Sequence, residues 1–314
     1  MTTMKTVRIH SYGGPEVSRY EDAPRPEPAT SETLVRIHAA AVNPVDWMIR
    51  NGYGKDWWRH QMPLTLGCEY AGVVEAVGAG VSQVKPGDEV FGFINLVNNG
   101  AYAEFAVARE TEVALKPKSL DFVKAATLPV AALTSWQALF DIGKLAAGQK
   151  VLIHAAAGGV GSIAVQLAKA KGATVLGTAS ARNLEFLRQL GVDEPIDYTA
   201  VRFEDVARDV DVVFDTIGGE TQERSFAVLK PGGVLVSAVS PPAQELAAAR
   251  GVSAAMVQVQ PNAAQLAEIA ALADAGKIVP NIETVLPLSE FQRAHELSQS
   301  GRTRGKIVLQ VQDQ

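Results

Sequence analysis

The sequence predicts an α/β protein with two domains, a β-rich domain and a doubly wound parallel sheet. Three observations support this prediction. Between Val151 and Ala173 a short apolar run, a glycine-rich turn and an amphipathic segment follow one another directly. After Asp121, strand-like and helix-like runs alternate, which indicates a parallel sheet covered on both faces. Before Asp121 the chain is rich in strand-like runs and turns.

The first part of the chain, to about Phe122, is predicted to be mostly strands. The strand-like runs are 34–42, 71–78, 89–94 and 101–108. Turns are predicted where glycine, proline and asparagine cluster, at 13–15, 85–88 and 98–100. The proline-rich stretch 21–32 predicts a loop at the edge of a sheet.

The second part is predicted to contain six strands, the number found in doubly wound dinucleotide-binding folds. They are expected at 151–155, 173–179, 194–197, 210–215, 232–239 and 252–259. An amphipathic helix is predicted over 263–276, and the chain ends with a further strand in the segment GKIVLQV.

The glycine-rich turn carries the first functional prediction. Glycines let the backbone approach a pyrophosphate, and the following helix offers free N–H groups and a partial positive charge to that anion. In the G-x-G-x-x-G pattern Ala156 stands in the first place and Gly158 and Gly161 in the others, with Gly159 and Val160 between them. The alternative is a tight strand-to-helix connection that binds no nucleotide.

The residues after the next predicted strand indicate which dinucleotide binds. NAD-binding chains place Asp or Glu there on the ribose 2′-hydroxyl. This chain has Ser180 and Arg182 instead, and no acidic residue occurs between Gly172 and Glu185. A hydroxyl and a guanidinium suit a 2′-phosphate, so NADP(H) is expected. The alternative for Arg182 is a solvated surface charge.

Composition excludes several other classes of protein. The formal net charge of −5 gives no reason to expect nucleic acid or an anionic membrane as a partner. The N-terminal segment has no apolar core of a signal peptide, and no apolar run is long enough to span a membrane. Cys68 is the only cysteine, which excludes an internal disulfide framework and a cysteine-rich zinc site. A cytoplasmic enzyme is expected.

Several segments together resemble the medium-chain dehydrogenase/reductase superfamily, specifically its zinc-independent NADPH quinone oxidoreductase branch. They occur in the order and spacing of that family along essentially the whole chain, at 39–53, 66–78, 84–92, 126–139, 155–173, 214–219, 229–236 and 304–309. The resemblance implies a GroES-like catalytic domain over 1–122, completed by 262–314, and a Rossmann domain over 123–261. It also implies a cleft between the domains and a homodimer formed through the edge strand near 252–259.

The resemblance also bears on metal binding. Zinc alcohol dehydrogenases of this superfamily hold a catalytic metal with a cysteine and a histidine in the first domain. Asn43 stands in the place of that cysteine, and Cys68 in the place of the histidine, ahead of Glu69. Cys68 and Glu69 are adjacent and too few for a tetrahedral zinc site, so metal-free chemistry is expected. Cys68 is interpreted as a small buried hydrophobic residue.

Asn43 and Tyr53 are the candidate catalytic residues. In the family the matching Asn and Tyr face the nicotinamide, where an N–H or O–H donor stabilises the charge that develops on a carbonyl oxygen. The alternative for Asn43 is that it only holds the turn before Pro44. Asp46 is interpreted as a structural residue at a helix start.

The resemblance implies further contacts to the cofactor. They fall on Thr134, Tyr198, Ile217, Val239, Ser240 and Lys306. Three of them, Ile217, Val239 and Ser240, follow predicted strands, where parallel sheets bind their ligands. Lys306 either approaches the phosphates or is a surface lysine before an edge strand. Trp57 and Trp58 either pack or cover the substrate.

The expected activity is an NADPH-dependent hydride transfer, without metal, to a quinone or an α,β-unsaturated carbonyl compound. Two alternatives stay open. One is a zinc-type alcohol or aldehyde dehydrogenase, which the missing ligands disfavour. The other is a catalytically poor protein that binds NADPH as a sensor or adaptor. The residues do not define the physiological acceptor.

Overall fold

The computed structural model describes residues 2–312. Strands in chain order are β1 (Thr3–Ile9), β2 (Ser18–Pro24), β3 (Glu32–Val42), β4 (Leu64–Thr65), β5 (Glu69–Val77), β6 (Glu89–Phe93), β7 (Phe105–Arg109), β8 (Val113–Leu115), β9 (Lys150–Ile153), β10 (Thr174–Ala179), β11 (Glu194–Asp197), β12 (Val210–Asp215), β13 (Leu229–Ser237), β14 (Ser253–Met256), β15 (Ile282–Pro287) and β16 (Lys306–Gln310).

The helices lie mainly in the second half of the chain. In chain order they are α1 (Pro44–Arg50), α2 (Phe122–Ala125), α3 (Pro129–Trp136), α4 (Gly159–Ala170), α5 (Leu184–Gln189), α6 (Phe203–Val206), α7 (Gly219–Ser225), α8 (Gln244–Ala249), α9 (Ala263–Asp274) and α10 (Phe291–Gln299). A π-helical turn, Gln137–Ile142, continues α3. Within residues 2–312, no helix has both the length and the apolar character needed to cross a membrane.

The chain divides into two compact units. Unit 1 comprises residues 1–130, 260–276 and 280–314, and unit 2 comprises residues 131–259 and 277–279. Unit 1 is therefore built from both ends of the chain. The domain limits expected from the resemblance, 1–122 with 262–314 and 123–261, stay a prediction.

Unit 1 contains two sheets that pack on one apolar core. The larger sheet has the strand order β15-β16-β3-β5-β6-β8, and β7 also pairs with β3; the smaller has the order β2-β1-β4. The C-terminal strand β16 runs antiparallel to β3, with Ile307 opposite Val42. On its other side β3 pairs with β5, with Ala41 opposite Glu69. These two pairings bring the ends of β3, β5 and β16 together.

Unit 2 is a six-stranded parallel sheet with helices, as predicted. Its strand order is β11-β10-β9-β12-β13-β14. The strand β9 lies in the interior, with Val151 and Ile153 fully buried, because both of its faces are covered. The order of strands reverses between β9 and β12, which places the start of α4 at the topological switch point of the sheet.

Two sequence-based predictions in unit 1 are confirmed only in part, since 25–31 is a loop and 105–108 a strand, whereas the rest of each stretch differs. The stretch 21–32 was expected to be a loop, but β2 continues to Pro24, which pairs with Thr3 at the edge of the small sheet. An edge position tolerates proline because the missing N–H has no ladder partner to lose. The strand expected over 101–108 begins only at Phe105, because Ala101 and Tyr102 bond to the backbone of Gly67 and Leu66 instead.

Candidate active site

The turn between β9 and α4 in unit 2 has the geometry of an anion cradle. A Cβ on Gly158 would meet a single atom within 4 Å, the carbonyl oxygen of Ala155, in a tight contact of 3.3 Å. A Cβ on Gly161 would lie 2.8 Å from Cα of Ala156, so glycine is required there for α4 to pack against the turn. The two glycines thus have different roles, one toward a ligand and one toward the fold.

Ala156 replaces the first glycine of the pattern, and the adjacent strand compensates for its methyl group. Ala156 is fully buried, and its N–H bonds to the carbonyl oxygen of Thr178 on β10 at 2.9 Å. A Cβ on Gly177 would lie 2.9 Å from Cβ of Ala156. The glycine missing from the turn is therefore matched by a glycine in the neighbouring strand.

The start of α4 provides the donors. The bond from Ser162 N to Gly158 O, 2.9 Å long, closes the first turn of the helix. The N–H groups that precede it, on Gly159, Val160 and Gly161, lie at the positive end of the helix dipole, where they have no intrahelical acceptor. These three residues begin a helix of twelve residues. This arrangement suits a phosphate group.

Three further predicted residues follow β10 and β11, the two strands on one side of β9: Ser180, Arg182 and Tyr198. Ser180 directly follows β10 and precedes a short 3-10 helix, Ala181–Asn183, which contains Arg182. Tyr198 follows β11, and its N–H bonds to the carbonyl oxygen of Ala179 at 3.2 Å. Arg182 is exposed, and so is 60% of Tyr198. The structure thus brings these three residues to one edge of the sheet.

Asp215, a residue that no sequence pattern singled out, holds a second group of strand-end residues in place. Its fully buried carboxylate accepts bonds of 2.9 Å from the N–H groups of Ile217 and Gly218 and of 2.8 Å from the hydroxyl of Ser237. A Cβ on Gly218 would lie 3.2 Å from both Val239 and Ser240. Asp215 therefore holds the loops after β12 and β13 together, with Ile217 and Val239 about half exposed.

The side chain of His154, the residue that follows β9, is held by two hydroxyl groups. Its Nε2 lies 2.8 Å from Ser225 Oγ, and its Nδ1 lies 3.1 Å from Thr178 Oγ1. The hydroxyl of Ser225 already donates to the carbonyl oxygen of Thr221, so it accepts from a protonated Nε2. Burial lowers the pKa of His154 to about 4. The imidazole ring is therefore neutral and has a structural role.

In unit 1, Asn43, Glu69 and Lys306 form a buried polar cluster where β3, β5 and β16 meet. Asn43 Nδ2 donates to Glu69 Oε1 at 2.9 Å, and Lys306 Nζ donates to Asn43 Oδ1 at 2.6 Å and to Glu69 Oε1. The other carboxylate oxygen of Glu69 accepts the N–H of Val130 at 2.8 Å. All three side chains are at most 7% exposed. Charges and hydrogen-bonding groups are matched throughout the cluster.

Asp46 connects this cluster to the start of α1. Its Oδ2 accepts the backbone N–H of Asn43 at 2.8 Å and the hydroxyl of Tyr102 at 2.8 Å. Burial raises the pKa of Asp46 to about 6. Burial also raises the pKa of the Cys68 thiol well above its usual value, and Cys68 Sγ lies 3.6 Å from Asn43 Nδ2. Cys68 is thus a buried, protonated thiol, and Asp46 is structural, as expected.

Tyr53 lies in the same unit, in an aromatic group after α1. Its ring contacts Trp57 and Trp58 edge-on, with centroid distances of 5.8 and 5.7 Å. Trp58 packs on the apolar core of unit 1, whereas 72% of Trp57 and 38% of Tyr53 are exposed. The two tryptophans therefore differ in role, Trp58 being a packing residue and Trp57 an exposed one.

Lys306 and Thr134 are both buried. The interpretation of Lys306 as a surface lysine is wrong, because its strand pairs with β3 and directs Nζ to Asn43. Thr134 lies on α3 and is 7% exposed. The next residue, Ser135, donates to the carbonyl oxygen of Val160 at 3.2 Å, which ties α3 to the start of α4.

Curated relatives align with nearly the whole chain. The mouse mitochondrial NAD(P)H oxidoreductase RTN4IP1 is 36% identical, with 90% of this chain and 82% of the relative covered. The tomato 2-methylene-furan-3-one reductase is also 36% identical and covers 98% of this chain and 79% of its own. The chain belongs to the medium-chain dehydrogenase/reductase superfamily, in its quinone oxidoreductase-like branch.

Other comparisons agree with this membership. A model of the alcohol dehydrogenase GroES-like domain matches residues 29–118 of this superfamily member, and a model named zinc-binding dehydrogenase matches residues 190–309. The Escherichia coli quinone oxidoreductase complexed with NADPH superposes with a TM-score of 0.87 at 30% identity, covering 98% of this chain and all of the other. This medium-chain dehydrogenase/reductase is an oxidoreductase with a GroES-like and a Rossmann domain, as the sequence predicted.

The name of the second family model refers to zinc, which makes the possible metal ligands of this chain worth examining. In the part of this dehydrogenase/reductase covered by residues 2–312, His, Cys, Asp and Glu side chains form no group of three that could hold a metal ion. Glu69, which follows the residue aligned with the metal-binding histidine of the zinc enzymes, is bonded to the Lys306 ammonium.

Proposed function

We propose that this protein is a zinc-independent NADPH-dependent reductase of quinones or α,β-unsaturated carbonyl compounds. The observation that carries the proposal is the cradle at the start of α4, where Gly158 has no side chain beside helix N–H groups that lack an intrahelical acceptor. A pyrophosphate fits this combination of space and charge. When bound, NADPH supplies a hydride from its nicotinamide ring. The Escherichia coli quinone oxidoreductase, whose structure was solved in complex with NADPH, supports the same cofactor.

The preference for NADPH over NADH rests on Ser180 and Arg182. Both follow β10, the strand whose end meets the adenosine ribose in doubly wound folds. A hydroxyl and a guanidinium are donors to a 2′-phosphate, whereas the ribose 2′-hydroxyl of NADH requires an acceptor. Tyr198 stands beside them at the end of β11. We assign these three residues to the adenosine phosphate.

Gly158, Gly159, Val160 and Gly161 are assigned to the pyrophosphate. Thr134, Ile217, Val239 and Ser240 are assigned to the nicotinamide half of the cofactor, because Asp215 holds the last three at the strand ends next to the cradle. These assignments follow the rule that parallel sheets bind ligands at the carboxyl ends of their strands.

Asn43 and Tyr53 are assigned to the acceptor. One N–H of Asn43 is used by Glu69, while the other points to Cys68 Sγ at 3.6 Å, and a thiol sulfur is a weak acceptor. A carbonyl oxygen that becomes negative during hydride transfer is a far stronger acceptor, so this N–H would exchange partners and stabilise it. The hydroxyl of the partly exposed Tyr53 is a second donor.

The proposal that the reaction needs no zinc rests on the charges in the buried cluster of Asn43, Glu69 and Lys306. The Glu69 carboxylate is bonded to the Lys306 ammonium and to the N–H groups of Asn43 and Val130. A metal ion would have to displace a cation that is covalently part of the chain. The name 2-methylene-furan-3-one reductase, carried by the tomato relative, supports the enone class of acceptor.

The homodimer and the cytoplasmic location also stay predictions. The strand β14 is the last in its sheet, so its outer edge is available for pairing across the expected interface near 252–259. The mouse relative is named as a mitochondrial protein, which makes the location worth testing by fractionation of the source cells.

The decisive experiment follows NADPH oxidation at 340 nm with a panel of quinones and enones, in the presence and absence of a chelator. We expect turnover with at least one acceptor, unchanged by the chelator. Loss of activity in chelator that zinc restores would support the alcohol dehydrogenase alternative. Tight NADPH binding without turnover on any acceptor would instead support a sensor or adaptor.

A further inference from the structure

We propose that Lys306 is a positioning residue that fixes and polarises the Asn43 amide for reduction of the acceptor. This inference rests on the proposed function, because it concerns how Asn43 acts on the substrate. In this role Lys306 acts through Asn43, whereas the resemblance implied a direct contact of Lys306 with the cofactor phosphates.

The chemistry of the two neighbours determines which way the Asn43 amide points. An ammonium only donates hydrogen bonds and a carboxylate only accepts them. Lys306 Nζ lies 2.6 Å from Asn43 Oδ1, and Glu69 Oε1 lies 2.9 Å from Asn43 Nδ2. A flipped amide would face its N–H groups to the ammonium and its oxygen to the carboxylate. The cluster therefore keeps the N–H groups of Asn43 on the side of Glu69 and Cys68.

The ammonium also changes the strength of the amide as a donor. A cation on the carbonyl oxygen withdraws electrons from the amide nitrogen, and hydrogen bonds in a chain strengthen one another. The effect is large here because Asn43 is 4% exposed and Glu69 is fully buried, so water screens the charges little. The N–H of Asn43 next to Cys68 is thereby prepared for an oxygen on which negative charge develops.

The fold holds this geometry rigidly. Lys306 begins β16, which pairs with β3 next to Asn43, and Glu69 begins β5, which pairs with β3 on the other side. The second oxygen of Glu69 is fixed by the N–H of Val130 at 2.8 Å. Three strands therefore set the relative positions of three side chains, and none of the three lies on a free loop.

The chain provides a matched control in Lys116. Its ammonium is also buried, with a side chain 5% exposed, and it also pairs with a glutamate, Glu89, at 3.1 Å. It donates to the carbonyl oxygens of Pro117 and Leu120, and within residues 2–312 it forms no hydrogen bond with Asn43. Substitution of Lys116 thus measures the general effect of losing a buried lysine in the same unit.

The test is a double-mutant cycle on the full-length protein, with Lys306→Gln, Asn43→Ala and the double variant. Glutamine keeps an N–H donor near Asn43 but removes the charge. We expect Lys306→Gln to lower kcat about tenfold, and to have no further effect on kcat once Asn43 is alanine. The dissociation constant of NADPH, measured by fluorescence quenching, should be unchanged, and Lys116→Gln should keep the wild-type kcat.

Lys306→Arg provides a second reading if Lys306→Gln does not fold. Arginine keeps the positive charge and the N–H donors but places them at a different distance from Asn43. We expect Lys306→Arg to lower kcat less than Lys306→Gln does, and to have no effect on kcat when Asn43 is alanine. Additive effects on kcat, or a weaker NADPH affinity with unchanged kcat, would overturn the proposal, the latter in favour of a phosphate contact. If the wild-type protein reduces no acceptor, it is the proposed function that fails.

Discussion

The hydroxyl of Tyr102 donates a hydrogen bond of 2.8 Å to Oδ2 of Asp46, inside the apolar core of unit 1. Asp46 is 1% exposed and Tyr102 is fully buried. The same oxygen accepts the N–H of Asn43, so one buried carboxylate joins the start of α1 to the segment before β7. Burial outweighs these two hydrogen bonds and raises the pKa of Asp46 from 3.8 to about 6.

This raised pKa predicts how stability depends on pH. Between pH 4 and 6 the folded protein retains the Asp46 proton, whereas the unfolded chain has released it, so the Asp46 contribution is lost as pH rises through 6. Relative to Asp46→Asn, the free energy of unfolding of the wild type should fall by about 3 kcal/mol over this range. Urea denaturation at a series of pH values measures the difference.

The comparison with Asp46→Asn is needed because buried histidines change the free energy of unfolding with pH in the opposite direction. Burial lowers the pKa of His154 to about 4 and that of His295 to about 3, so both favour the folded state less as pH falls below 6.5. Their contributions cancel between wild type and variant. Asp56→Asn, at an exposed carboxylate, is the control. Parallel pH profiles for wild type and Asp46→Asn would contradict the prediction.

The two glycines of the cradle should respond differently to alanine. Gly158→Ala adds a methyl group that meets one atom, the carbonyl oxygen of Ala155 at 3.3 Å, so the melting temperature should fall only slightly while the dissociation constant of NADPH rises about tenfold. Gly161→Ala forces α4 away from Ala156, so it should also lower the free energy of unfolding, by about 1 to 3 kcal/mol. Thermal melts and fluorescence titrations distinguish the two. Equal effects on stability would show that both glycines serve only the fold.

The parallel sheet was predictable because its strands are continuous apolar runs separated by helices. The six strands fall within a few residues of their expected positions, and the glycine-rich turn meets α4 where the pattern places it. The apolar runs that mark the strands of unit 1 are less distinct. The strand β15 was not predicted, because alternate residues of this short strand are exposed and its apolar signal is slight.

The cluster of Asn43, Glu69 and Lys306 was only partly predictable. Asn43 and Lys306 could be selected by resemblance, but their contact depends on a strand pairing across 263 residues of sequence. Glu69 and Asp215 were not selected, because a carboxylate at the start or end of a strand is usually exposed. The sequence signal that could have identified Asp215 is an acidic residue within an apolar run, VVFD, since such a residue is buried together with its neighbours.

Arg182 should determine the choice between the two nicotinamide cofactors. Arg182→Asp places a carboxylate where a guanidinium follows β10, which repels a 2′-phosphate and accepts a hydrogen bond from a 2′-hydroxyl. We expect the dissociation constant of NADPH to rise about a hundredfold and that of NADH to fall. Arg188→Asp, on the exposed face of α5, is the control. Unchanged selectivity would place the 2′-phosphate elsewhere.

The outer edge of β14 should carry the homodimer. Val257 N donates to Ser237 O on β13, so the N–H of the preceding residue, Met256, points to the opposite side. Met256→Pro removes that donor without breaking the ladder to β13. We expect the wild type to be a dimer in light scattering and Met256→Pro to be a monomer with an unchanged circular dichroism spectrum, while Met256→Leu stays dimeric. A dimeric proline variant would locate the interface away from β14, because strand pairing across that edge needs the N–H.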